Sequence, residues 1–240
     1  KKLGPTAAPV SKVLRTPNLE RLAAMGTLFT DVHTGSSMCS PTRYALLTGR
    51  YAWRSYNKHT VIGGWNSLPM IAPGRPTVAT MVKQSGYRTA AFGKWHLGWT
   101  LINTNGLPAY HGSTTQTNWQ TIRVGTNALG GYVTNILDGP CQHGFDYYFG
   151  VSQNFVNSAA DAIKAFIENN CIQGIPTWGG APPQAGVTCT GPGVPDWDQQ
   201  RMGEHYMNKA FGYIDAHAQS GTNAPFFFYW VPNANHAPTD

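Results

Sequence analysis

An α/β fold built on parallel strands is what this sequence predicts, on three observations. Strand-sized apolar blocks, of which Phe226 to Val231 is the longest, alternate with stretches whose apolar residues recur at helical spacing. Helix-starting and helix-stopping residues bracket those stretches. Lys94, His96 and His236 each fall just past a predicted strand end, which is where ligands gather in sheets of this kind.

The elements follow in chain order. Thr16 is placed to cap a helix that has Pro17 in its first turn and Gly26 just past its end, with Leu19, Leu22, Ala23 and Met25 as its apolar side. Thr27 to His33 alternates loosely and predicts a short strand. A helix should begin at Cys39 and stop near Gly49. Pro76 to Ser85 predicts a further helix with Val78, Met81 and Val82 on one face, ended by Gly86 and followed by a buried strand over Tyr87 to Phe92. The order repeats once more, with a helix over Asp198 to His217 whose Met202, Tyr206, Ala210, Phe211 and Ile214 share a face, and the strand Phe226 to Val231. Two stretches, 101–140 and 171–196, read instead as long loops or insertions. Leu101 to Ile122 and Cys171 to Pro195 lack any Lys, Arg, Asp or Glu and are rich in Gly, Pro, Thr, Asn or Gln.

Composition narrows the function classes. Of the 240 residues 41% are hydrophobic, which is enough for a buried core. No run reaches the roughly 18 apolar residues of a membrane-crossing helix. The net charge is +6, with Lys and Arg scattered and the aromatics in strand-like blocks, so nucleic-acid binding is not expected; a mildly basic surface suits polyanionic, sulfated substrates. The four cysteines show no zinc-site spacing, and Cys171 and Cys189 are either a disulfide or two ordinary thiols.

The chemistry centres on Cys39-Ser40-Pro41-Thr42-Arg43, which leads into Leu46-Leu47-Thr48-Gly49-Arg50. A lone cysteine is most often an inert, buried thiol. Here it stands at a predicted helix entrance, where amides without helical partners and the charge of Arg43 favour an oxyanion such as sulfate or phosphate. This run resembles the first signature of the type I sulfatases. Gly86-Tyr87-Arg88-Thr89-Ala90-Ala91-Phe92-Gly93-Lys94-Trp95-His96-Leu97-Gly98 resembles that family's second signature, in the right order. Thr16 to Ala23, the segment His143 to Gly150, and Pro225 to Val231 with Asn235-His236-Ala237-Pro238 are similar to further family segments. The resemblance implies an alkaline-phosphatase-like sandwich with a mostly parallel central sheet flanked by helices, incomplete in this chain, which then corresponds to a partial N-terminal catalytic domain over 1–240.

In that family a maturation enzyme converts the signature cysteine to formylglycine. By resemblance, hydrated formylglycine at position 39 supplies the nucleophile. Arg43 holds it, Lys94 binds a sulfate oxygen as a point charge, and His96 hydrogen-bonds the nucleophile and helps to break the sulfated intermediate. His236 binds sulfate and protonates the leaving oxygen, and Ser152 corresponds to a polar residue of the sulfate pocket. Taken singly, Lys94 would be a surface lysine and His96 a structural imidazole. The resemblance also implies a Ca²⁺ ion bound in part by residue 39, a sulfated small molecule or carbohydrate as substrate, and a secreted, periplasmic or lysosomal setting.

The chain departs from the family pattern at the metal. Before Cys39 its acids are Glu20 and Asp31, neither adjacent to another acid, and it ends at Asp240. An oxygen-rich calcium site takes six or more ligands, several of them carboxylates. The expectation is therefore an internal sulfatase fragment that binds calcium poorly and turns over little. Two rivals stand beside it: a phosphonate or phosphate monoester hydrolase of the same superfamily, and a non-catalytic sulfatase-like binding protein. A cysteine hydrolase is a poorer third, since Cys39 has no identified base and orienting partner.

Overall fold

The computed structural model describes residues 16–65, 67–109, 119–153, 162–182 and 191–233. It forms two compact units, residues 1–34 and 35–240. The described part of the first unit holds helix α1 (Pro17–Met25), which begins at the predicted proline. Two expectations fail there. Thr16 makes no side-chain cap bond and Gly26 is extended rather than left-handed, so neither end is closed as predicted. Thr27 to His33 is not a strand, because loose alternation makes a strand only where a second strand accepts its ladder.

The second unit is organised around five strands in the order β4-β3-β2-β1-β7. β1 (Arg88–Lys94) lies between β2 (Tyr147–Val151) and β7 (Phe226–Val231) and runs parallel to both. β3 (Ile167–Glu168) and β4 (Cys171–Ile172) extend the sheet as an antiparallel hairpin, turning at Asn169 and Asn170. β1 is buried along all but its first residue, the mark of a central strand covered on both faces.

Alternation along the strands assigns the two faces. On one, Phe92 meets Phe228 at 4.8 Å between ring centroids, and both pack on Tyr213 of α4 (Met202–Gln219), while Tyr206 of the same helix packs on Phe149. On the other lie Tyr148, Phe145 and Tyr229, with Trp95 against Phe145 and Tyr148. α4 differs from expectation in its stripe. Met202, Tyr206 and Ala210 are buried, whereas Phe211 and Ile214 face outward, because the helix rotates to put Tyr213 on the sheet.

α3 (Val78–Gln84) starts at Thr77, whose hydroxyl accepts from the Thr80 amide while Thr80 answers the Thr77 amide, a reciprocal cap. Its buried residue is Ala79, and Met81 is 59% exposed, contrary to the predicted face. The helix is turned by the Thr77 hydroxyl, which donates to the His143 carbonyl at 2.7 Å. The stretches 101–140 and 171–196 are not bare loops. Isolated bridges join Leu101 to Ile136 and Asn103 to Ile122, and β5 (Thr177–Trp178) pairs with β6 (Pro192–Gly193).

Asp146 ties the starts of β1 and β2 together. Its carboxylate accepts from the Thr89 amide at 3.0 Å and the Thr89 hydroxyl at 3.1 Å, and pairs with Lys83 of α3 at 2.5 Å. Burial pushes its pKa up, but the bonds from Lys83 and Thr89 outweigh that and hold it below the usual carboxylate range. Asp146→Ala leaves the buried Thr89 amide unpaired and should cost about 2–3 kcal/mol at pH 7. A depressed folded pKa gives stability that is complete above the unfolded value of about 3.9 and is lost as pH falls through the lower folded value. Urea titrations of both proteins at pH 7 and pH 3 check this: the gap should be wide at the first and narrow at the second.

Candidate active site

α2 (Cys39–Thr48) begins at the signature cysteine, with Met38 extended before it and Gly49 left-handed after it, so Cys39 sits at the helix entrance as predicted. Pro41 brings no amide, and the Thr42 amide is bonded to the Met38 carbonyl at 3.0 Å, so that amide does not serve an anion. The Ser40 hydroxyl is buried and accepts from the Ile62 amide at 3.2 Å, which fastens the helix start to the 62–65 segment.

Arg43, one turn into α2, spans to the end of β1. Its Nη1 donates to the Lys94 carbonyl at 2.5 Å, and its guanidinium also hydrogen-bonds the Tyr229 phenol on β7. Lys94, the last residue of β1, is only 3% exposed, and its Nζ meets no oxygen or nitrogen acceptor. Its favourable neighbour is Cys39. Burial first and the positive charge of Arg43 second lower the Lys94 pKa, interaction with Cys39 works in the opposite direction, and the net result is about 8. Lys94 thus lies beside the sulfur while the charge of Arg43 acts on Lys94, a surplus of positive charge that an oxyanion would neutralise.

The strand ends put His96 at the same place. Gly93 adopts φ +102, so the chain leaves the ladder with β7 and continues against β2: the Trp95 amide donates to Val151 at 3.0 Å and the His96 amide to Ser152 at 2.8 Å. His96 itself has φ +55, a strained conformation for a residue with a side chain, held by that amide bond and by Nε2 against the Ile62 carbonyl at 2.9 Å. A carbonyl only accepts, so Nε2 carries the proton and a neutral ring has its lone pair on Nδ1.

Ser152 follows the end of β2. Its hydroxyl is buried without a partner among the described residues, and Ser152 lines a small cavity of about 10 Å³ together with Ile62, Trp65, Trp99 and Gln153. Lys94 is thus brought to both Cys39 and Arg43, His96 and Ser152 are joined through the backbone, and Ile62 links His96 to Ser40. His236 lies outside the described residues, as does Cys189. Cys171 is a thiol, with Sγ 3.5 Å from the Tyr132 carbonyl. Cys141 is also a thiol, and burial raises its pKa to about 11, so it stays protonated and unreactive at neutral pH.

Two participants were not legible beforehand. Ile62 acts through its carbonyl and amide, which no side chain advertises. Tyr229 was visible only as part of an apolar strand. As for a metal, no group of three or more His, Cys, Asp or Glu side chains is clustered among the described residues.

A family model described as Sulfatase matches residues 10–240. An N-acetylgalactosamine-6-O-sulfatase of Bacteroides thetaiotaomicron is 45% identical over 83 residues, 35% of this chain and 16% of that protein. The human N-acetylgalactosamine-6-sulfatase is 27% identical over 251 aligned positions, covering 93% of this chain and 35% of the relative, so the chain spans about a third of that protein's length. Among solved structures, one from work on glycosaminoglycan metabolism by Bacteroides thetaiotaomicron aligns with a TM-score of 0.65 and 26% identity, over 93% of this chain and 46% of the other. The signature cysteine at a helix entrance, a lysine and histidine at the end of a central parallel strand, and a match over nearly all of its length together place this chain in the sulfatase family.

Proposed function

We propose that this chain is the catalytic segment of a hydrolase acting on a carbohydrate or aryl sulfate, with a formylglycine nucleophile made from Cys39. The observation that supports it is the buried Lys94, which lies beside Cys39, meets no oxygen or nitrogen acceptor among the described residues, and sits at a strand end held by Arg43. In this reading one hydroxyl oxygen of the hydrated aldehyde bonds to sulfur as the ester's C–O oxygen leaves with a proton from His236. The second hydroxyl then gives up its proton, the bond from residue 39 to the sulfate oxygen breaks, and free sulfate departs as the aldehyde re-forms. Lys94 binds a sulfate oxygen, Arg43 fixes the strand end that carries Lys94, and His96 orients the nucleophile. The relatives' names make an amino-sugar sulfate the first substrate class to try. Calcium belongs to the reading as an ion for which the described residues bring no carboxylate cluster, and no step is routed through it. A secreted, periplasmic or lysosomal setting and a formylglycine-generating partner complete the proposal.

The test is peptide mass spectrometry across Cys39 after co-production with a formylglycine-generating enzyme. The peptide should lose about 18 Da, sulfur and two hydrogens leaving and oxygen arriving. An unmodified thiol, with the enzyme shown active on a control, would sink the hydrolase and leave a sulfatase-like binding protein. Rates on paired sulfate and phosphonate esters then separate the sulfatase from a phosphonate hydrolase.

A further inference from the structure

Between Val32 and Leu137 the chain carries nine Lys and Arg residues and no Asp or Glu. Arg43 and Lys94 turn into the candidate site and Lys83 pairs with Asp146, but Arg50, Arg54 and Lys58 fall together just after α2 and none of them is in an ion pair among the described residues. Nε of Arg50 is buried without an acceptor. The same short stretch displays Tyr51 and Trp53, 53% and 62% exposed, with their rings stacked at 4.1 Å and 13°.

This aromatic pair is held rigidly. Buried Ala52 anchors a 3₁₀ turn closed by the Arg54 amide on the Tyr51 carbonyl at 3.1 Å and the Ser55 amide on the Ala52 carbonyl at 2.8 Å. Tyr56 is fixed by its hydroxyl on the Leu68 carbonyl at 2.6 Å. A rigid exposed aromatic face among unpaired cations costs solubility and marks a binding surface, and it loses little entropy on binding. The stretch also leads back to the site. α2 is ten residues long, so its far end is about 15 Å from Cys39. The chain then returns to Ile62, which bonds both Ser40 and His96.

We propose that Arg50 to His59 is a track for a sulfated polysaccharide: sugar rings lie on the Trp53–Tyr51 face, and Arg50, Arg54 and Lys58 take successive sulfates. This rests on the sulfate-ester reading, because the track then holds a polymer while one of its sulfates reaches residue 39. A track of this kind favours chains over small esters.

The test uses the whole chain carrying Cys39→Ala, which removes turnover. Its affinity is measured for a sulfated galactan and for the same polymer after chemical desulfation, in parent, Trp53→Ala and Arg54→Ala/Lys58→Ala forms. The sulfated polymer should bind about tenfold or more tighter than the desulfated one. The double variant should lose about tenfold and show a flatter dependence on salt, since fewer counterions are released. Trp53→Ala should lose several-fold at every salt concentration. Equal binding by the variants, equal binding of the desulfated polymer, or equal displacement by single-stranded DNA would each overturn the track. If Trp53→Ala lowers the melting temperature, the exposed Arg54→Glu and Lys58→Glu variants carry the test. The readout needs no aldehyde, so a failure here is distinct from an unmodified thiol at Cys39.

Discussion

Gly150→Ala is expected to cost more than about 4 kcal/mol, placing it among the most damaging single substitutions a domain meets. A Cβ built at Gly150 falls 1.8 Å from the Gly93 carbonyl oxygen and 2.6 Å from the Tyr148 hydroxyl. Neither neighbour is a flexible tip. Gly93 is backbone of the paired strand, and the Tyr148 hydroxyl donates between the carbonyls of Gly93 and Val151, 3.0 Å from each. The clash is relieved only by pushing β1 and β2 apart at the end that carries Lys94 and His96. Against a typical total of about 5–15 kcal/mol, that should abolish a cooperative thermal transition or lower its midpoint by about 10 °C or more. Gly212→Ala in α4 is the control with the opposite sign. Its added Cβ meets nothing within 4 Å, and mid-helix glycine costs about 0.5–1 kcal/mol relative to alanine, so that variant should melt slightly higher. A Gly150→Ala protein melting within a degree or two of the parent would overturn the close pairing of Gly93 and Gly150.

That glycine pair also shows why some of the fold was legible in the sequence and some was not. Arg88–Lys94, a central strand, is readable from its apolar middle at Ala90-Ala91-Phe92, and Phe226–Val231, at the edge of the described sheet, from its six consecutive apolar residues. Tyr147–Val151 is just as central, yet its five residues include a glycine required by Gly93 across the sheet, and that requirement lies far away in sequence. The β3–β4 hairpin was illegible for another reason. Two-residue strands have no period to detect, and the turn depends on Asn169 at φ +55, a conformation that asparagine tolerates but does not announce. On α3 the apolar spacing was real, but Thr77 turned the helix by bonding His143, which put Ala79 inside and Met81 outside.

The candidate site divides along the same line. The candidate side chains Cys39, Arg43, Lys94 and His96 could be named from the two signature runs. Their relations could not. Arg43 reaches Lys94 through the Lys94 carbonyl rather than by any side-chain complementarity, and His96 depends on the Ile62 carbonyl. These are backbone contacts, which a sequence carries only as a consequence of the whole fold.

The second large effect is expected at Lys94, with opposite signs in stability and function. The ammonium is buried beside a second cation and has no oxygen to bond, so in the unliganded chain it is a cost. Lys94→Met keeps the stem and removes the charge, and should raise stability by about 1 kcal/mol. The same change removes the group that would meet a sulfate oxygen. Inorganic sulfate at about a hundred times its dissociation constant should stabilise the parent by about 2.7 kcal/mol and leave the variant unmoved. In a formylglycine-bearing polypeptide that also holds the family's acidic metal ligands, kcat/KM on an aryl sulfate should fall by about 10²–10³, the scale of losing one preorganised donor to a developing anion. A merely structural lysine would behave otherwise: Lys94→Met would then lower the melting point, and sulfate would stabilise parent and variant alike. A group that weakens the empty fold and is missed only when an anion arrives is one placed for binding, which is why the melting curves with and without sulfate decide its role before any substrate is known.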